Sequence, residues 1–165
     1  YKAANRHFGH VEGHPYFWGD LCRERIRYCR NFIFPGLNTL RACPWMPYHD
    51  PDRPWVNRWF AGSEGAQGVA FLRVMREAEQ DRLEDEGGAS IIYTHFGHGF
   101  VSGGKLNPSF VRLMRRLSQK NGWFVPAHVI LDHLAAERGV FSLDADTRRA
   151  IEWRWLAAKT LRGTS

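Results

Sequence analysis

His95 and His98 stand three apart in Thr94-His95-Phe96-Gly97-His98-Gly99, directly after the apolar run Ile91-Ile92-Tyr93. Titratable rings that follow an apolar strand and sit among glycines are delivered to a mouth rather than to a core, as in the catalytic sites of α/β barrels. Imidazole changes charge near neutral pH, so general acid or base chemistry is its natural use there. A second pair, His10 and His14, stands four apart in His10-Val11-Glu12-Gly13-His14-Pro15. Two imidazoles at that spacing can converge on one divalent metal if a third ligand comes from elsewhere; the alternative is a structural or solvent-exposed pair. His98 reads as a loop residue that contacts substrate or water, with a second metal pair beside His95 as the alternative. Ser63, in Ala61-Gly62-Ser63-Glu64-Gly65, has its glycines at the wrong offsets for a nucleophile elbow.

The elements that must position these groups follow from periodicity. Cys22, Ile26, Cys29 and Ile33 recur at helical spacing, which predicts one helix from Trp18 to Phe34 ended by Pro35-Gly36. Asn38 to Ala42 is expected as a short strand, followed by a proline-rich irregular loop to Pro54. Trp55 to Phe60 is expected as a strand with Trp55 and Trp59 on one face, either buried or stacked on a sugar. Phe71, Leu72, Met75 and Ala78 predict a helix over 68–86 with an acidic carboxyl end, against the dipole preference. Asn107-Pro108 opens a helix that Asn121-Gly122 stops. Trp123-Phe124-Val125 reads as a buried strand, Pro126 to Gly139 as a helix, and Asp144 to Leu161 as a last amphipathic helix. This is α/β alternation, for which a parallel sheet or barrel wall is the natural solution.

Composition bounds the rest. A chain of 165 residues with 44% hydrophobic content fits one domain with a real core and excludes disorder. No apolar run is long enough for a membrane span. The net charge of +6 draws on Arg23, Arg27 and Arg30, which share a face if 18–34 is a helix. That face is either solvated or recruits an anionic polymer, and no nucleic-acid motif accompanies it. Cys22 and Cys29, on the same helix, would lie about 10 Å apart, too far for a disulfide. The three cysteines therefore read as thiols and favour a reducing compartment.

The run from Gly87 to Leu134, with Ile91-Ile92-Tyr93-Thr94-His95, Leu106-Asn107-Pro108, Asn121-Gly122-Trp123-Phe124-Val125-Pro126 and Ile130-Leu131, resembles the end of a polysaccharide deacetylase domain, the family 4 carbohydrate esterases. His10-Val11-Glu12-Gly13-His14-Pro15 is similar to the family's metal motif, with Val11 where serine or threonine is usual. Arg41-Ala42-Cys43-Pro44-Trp45 is similar to its arginine–proline–aromatic motif, with one extra residue before Pro44.

The resemblance implies a distorted (β/α)7 barrel. Residues 1–140 would be a barrel segment lacking its first strands, and 141–165 an appended carboxyl-terminal helical tail. It implies hydrolysis of N- or O-acetyl groups on a polysaccharide or glycan, assisted by a divalent metal of which zinc is the expected one. His10 and His14 would be metal ligands and His95 the general acid. Arg41 would orient a catalytic carboxylate, Tyr93 would border the acetyl pocket, and Trp45 would line the groove. The family's paired aspartates have no counterpart in Tyr1 to Gly9, so the chain reads as the later part of a longer domain. Two rivals remain: a catalytically degenerate barrel that binds glycan through Trp45, Trp55 and Trp59, and a basic module that binds an anionic polymer through Arg23, Arg27 and Arg30.

Overall fold

The stretch expected as one helix is a helix and a strand. α1 (Gly19–Arg25) stops where Ile26 turns extended, at φ −115° and ψ 113°, and β1 (Cys29–Phe34) follows. Tyr28, Phe32, Ile33 and Phe34 are aromatic or β-branched, and a parallel partner strand takes their backbone groups, beginning with Cys29 N–H donating to the Arg58 carbonyl at 2.9 Å. The helical spacing of Cys22, Ile26, Cys29 and Ile33 is therefore coincidental. Arg23, Arg27 and Arg30 do not share a helical face.

The computed structural model describes residues 8–162. The outermost ends of the two expected segments, 1–7 and 163–165, lie outside the described residues. After β1, Asn38 caps a single turn, α2 (Thr39–Ala42), by accepting the Arg41 N–H at 3.0 Å, where a strand was expected. β2 (Tyr48–His49) is short. β3 (Trp59–Glu64) begins four residues later than predicted and runs on through Ala61-Gly62-Ser63-Glu64, of which Ala61, Gly62 and Ser63 are buried.

The predicted helix over 68–86 is two helices, α3 (Gly68–Val74) and α4 (Glu77–Asp85), separated by an extended Arg76. The buried amide of Gln80 donates to the Met75 carbonyl at 2.8 Å and so satisfies an acceptor at the break. The strand leading to His95 is β4 (Ile92–Tyr93). An unanticipated hairpin follows, β5 (Val101–Ser102) and β6 (Lys105–Leu106), turned by Gly103 and Gly104 at φ +56° and +74°. Then come α5 (Pro108–Ser118), α6 (Ala127–Arg138), β7 (Phe141–Ser142) and α7 (Ala145–Arg162).

β1, β3 and β4 run parallel with β3 in the middle, β2 lies antiparallel to the start of β3, and β7 lies parallel beside β2. The protein is mixed α/β with an open sheet; it does not close into a barrel. Trp123-Phe124-Val125, expected as a buried strand, pairs with no strand among the described residues, and Trp123 and Phe124 are exposed. A mostly apolar hollow of about 660 Å³ is lined by Gly122–Phe124 on one side and by Gly87–Ser90 and Ile92 of β4 on the other.

Two cores hold the layers together. Phe34, Met46, Tyr48 and Ala61 pack with Leu134, Leu143 and Ile151, so the carboxyl-terminal segment is part of the main core rather than an appendage. The other core joins Leu37, Phe71, Val74, Met75, Phe100 and Leu113 under α3 and α5. The acidity of α4 has a structural cause: Arg116 of α5 grips Asp81 with both carboxylate oxygens, at 2.7 and 2.9 Å, and Lys120 bridges Asp81 and Glu84 at 2.7 and 2.6 Å.

Candidate functional site

The carboxyl ends of β3 and β4 are stitched together by their loops. His95 N–H donates to the Ala66 carbonyl at 2.9 Å, and Gly68 N–H donates to the His98 carbonyl at 2.8 Å. Glu64, the last residue of β3, turns its carboxylate back to accept Ala66 N–H at 3.0 Å. One β-turn away from His95, His98 N–H donates to the His95 carbonyl at 3.1 Å. Gly99, at φ +80°, brings its backbone so close to Gly68 that a side chain on Gly68 would collide with it. The result is a fixed loop with His95, Phe96 and His98 exposed at its rim.

Within this rim the Tyr93 hydroxyl is hydrogen-bonded to His95 Nε2, with the two rings edge to face at 4.8 Å. Arg30 reaches across from β1, its guanidinium 3.9 Å from the centre of the Tyr93 ring. It can do so because β3 offers only Gly62 between them. Glu64 is level with Tyr93 in the strand register and, two residues beyond Gly62, lies on the same face of the sheet. A neutral His95 accepts the Tyr93 proton at Nε2, whereas a charged His95 donates its Nε2 proton to the hydroxyl oxygen. The pair is thus suited to holding an imidazole in one orientation through a proton transfer. His98 meets His95 edge to face at 6.2 Å, and the two do not form a metal pair with any third ligand among the described residues.

The other residues singled out by sequence lie in different surroundings. His10 and His14 occupy an exposed, turn-rich loop ahead of α1. The His14 ring is stacked on Phe8 at 4.4 Å, and its Nδ1 accepts the Tyr16 N–H at 3.2 Å. In the neutral ring that leaves the proton on Nε2, so His14 as arranged offers a metal no free lone pair. His10 lies beside Trp55 at 6.4 Å. No group of three His, Cys, Asp or Glu able to hold a metal occurs among the described residues. The described residues therefore do not fit a complete metal site.

Arg41 pairs with Glu86 at the end of α4, and that carboxyl is held below the usual range by the Asn38 amide first and then by Arg41. Trp45 packs against the main core with Arg154 of α7 over its ring at 5.9 Å. Trp55 lies in the loop ahead of β3, against Phe17, and Trp59 is packed on the core. They do not form the expected two-tryptophan strand face. Ser63 is fully buried and donates to the Leu37 carbonyl at 3.1 Å, which leaves it no part as a nucleophile. Arg27 is paired with Asp132 of α6 at 2.9 Å.

Arg30, Glu64 and Phe96 are members of this site that spacing alone does not reveal. Phe96 is 61% exposed, while its edge is braced by Phe71, Phe100 and Phe110. Its position next to His95 is the only sequence signal it carries. Comparison of the chain with family models, with curated proteins and with solved structures finds no match.

Proposed function

We propose that this chain belongs to an enzyme that hydrolyses acetyl groups, N- or O-linked, from a polysaccharide or glycan, with His95 as the general acid. The observation that carries the reading is the hydrogen bond between Tyr93 and His95 Nε2 at the carboxyl end of a parallel strand. Departure of an amine or alkoxide from a tetrahedral intermediate requires a proton at the leaving atom. A charged His95 would supply it from Nδ1, and Tyr93, bonded at Nε2, would keep the imidazole pointed through the transfer. Glu64 acts one step back, since its hold on Ala66 fixes the carbonyl to which the His95 backbone is bonded. Phe96 offers the flat apolar surface on which a pyranose ring stacks.

The resemblance to polysaccharide deacetylases supports the reading through Ile91 to His95 and Asn107 to Pro126; the distorted (β/α)7 barrel that it implies is not formed by the open sheet of this chain. It also implies a divalent metal, zinc above all, for which His10 and His14 would be two ligands. The described residues do not complete such a site. Arg41 and Trp45, engaged by Glu86 and Arg154, take no part in the chemistry proposed.

The test is acetate release from N-acetylated chitooligosaccharides and acetylated xylan, with and without added zinc. His95→Ala should lower it by about 10²-fold or more, and Tyr93→Phe by less. If the unaltered protein releases no acetate from either substrate, or if His95→Ala turns over normally, the reading fails. A glycan-binding protein without catalysis is the second reading, favoured by the exposed ring of Phe96 at the rim. Binding of the same oligosaccharides, weakened by Phe96→Ala and unaccompanied by acetate, would establish it.

A further inference from the structure

Cys22 on α1 and Cys29 at the start of β1 bring their sulfurs to 3.8 Å, although seven positions separate them in sequence. The turn at Ile26 to Tyr28 folds the strand back beside the helix it leaves. Both thiols are free, Cys22 wholly buried and Cys29 partly exposed. The third cysteine, Cys43, belongs to the main core. Sulfurs in van der Waals contact need to approach by only about 1.8 Å to reach bonding distance, a movement within the range of side-chain rotation.

We propose that Cys22 and Cys29 form a reversible dithiol–disulfide pair, oxidised by exchange with a small-molecule disulfide such as oxidised glutathione. Accessibility sets the order of events. The Cys29 thiolate attacks one sulfur of the external disulfide, forming a mixed disulfide and expelling one small thiolate. The Cys22 thiolate then attacks the Cys29 sulfur and expels the second. One external S–S bond is broken and one internal S–S bond is formed, and the two protons from the protein thiols end on the two small thiols.

The surroundings set the pace. Burial, and then the neighbouring Cys22, push the Cys29 thiol up to about 11, so at neutral pH it is protonated and exchange is slow. Once formed, the bond fastens α1 to β1 one residue before Arg30. The loop it closes is short, so the bond acts on this junction and not on the chain at large.

The chain would be equilibrated in glutathione buffers from fully reduced to fully oxidised, alkylated, cleaved with trypsin and weighed. Arg23, Arg25 and Arg27 lie between the two cysteines, so trypsin separates them unless a disulfide holds them together. The expected product is one linked peptide pair, Cys22 to Cys29, that dithiothreitol releases and that persists in Cys43→Ser. Cys22→Ser should instead retain a glutathione adduct at Cys29. Absence of the linked pair in the unaltered protein at every buffer ratio, or linkage through Cys43, overturns the proposal.

Discussion

The guanidinium of Arg30 lies 3.9 Å from the centre of the Tyr93 ring, although their strands, β1 and β4, are separated by β3. A cation over an aromatic face at an exposed site contributes about 0.5 to 1 kcal/mol. A double-mutant cycle on the stability of Arg30→Ala and Tyr93→Leu should return a coupling of that size. Independent, additive effects would show that the two side chains do not sense each other.

Thr39 and Ser63 meet in a fully buried hydroxyl pair at 2.6 Å, in which Ser63 donates onward to the Leu37 carbonyl and Thr39 accepts the Ile91 N–H at 3.0 Å. Thr39→Val preserves the volume and leaves a buried amide and a buried hydroxyl oxygen without their partner. The expected loss is about 2 kcal/mol, read from chemical unfolding. A near-neutral result would mean that neither group depends on the Thr39 hydroxyl.

Asp50 is buried at the base of α7, where Arg148 grips it at 2.7 and 3.0 Å and Arg53 adds a second ion pair. Removing Arg148 leaves that carboxylate short of charge compensation. Arg148→Met should cost about 3 kcal/mol. Because α7 shares the main core, the loss should appear as a fall in the midpoint of the whole transition. A separate early melting of α7 would contradict the shared core.

Asp81 is held below the usual carboxylate range by Lys120 and then Arg116, and it is solvent-accessible. A carboxyl depressed in the folded state stabilises above its unfolded value. That contribution is lost as pH falls from about 4 through the lower folded value. Asp81→Asn should therefore flatten the acid side of the stability profile, and added salt should shrink the difference between the two proteins. Parallel acid profiles at low salt would show that the cluster is electrostatically idle.

Local signals were legible where they decide the outcome. Asn107-Pro108 and Pro126-Gly139 bound α5 and α6 because capping and proline act within a turn, and the delivery of Tyr93 and His95 to a strand end follows from an apolar run meeting glycines. The stretch from Trp18 to Phe34 was misread because helical spacing and strand-forming residues coexist there, and only the pairing of Cys29 with Trp59 decides between them. The registers of β1 and of β4 on β3 bring Arg30 and Glu64 to Tyr93, so neither is visible as a neighbour in sequence. Ser63 and the tryptophan at 59 changed meaning for one reason: β3 starts four residues later than its aromatic content suggests.

Gly62 has a further consequence. Strands two places apart in a sheet are about 10 Å from each other, beyond the reach of most side-chain contacts. A Cβ at position 62 would come within 3.2 Å of the Arg30 side chain and 3.4 Å of the Ile91 carbonyl, so the missing carbon is a window through which β1 touches β4 directly. Arg30 of β1 therefore meets the ring that is hydrogen-bonded to His95 with no side chain of the middle strand in between.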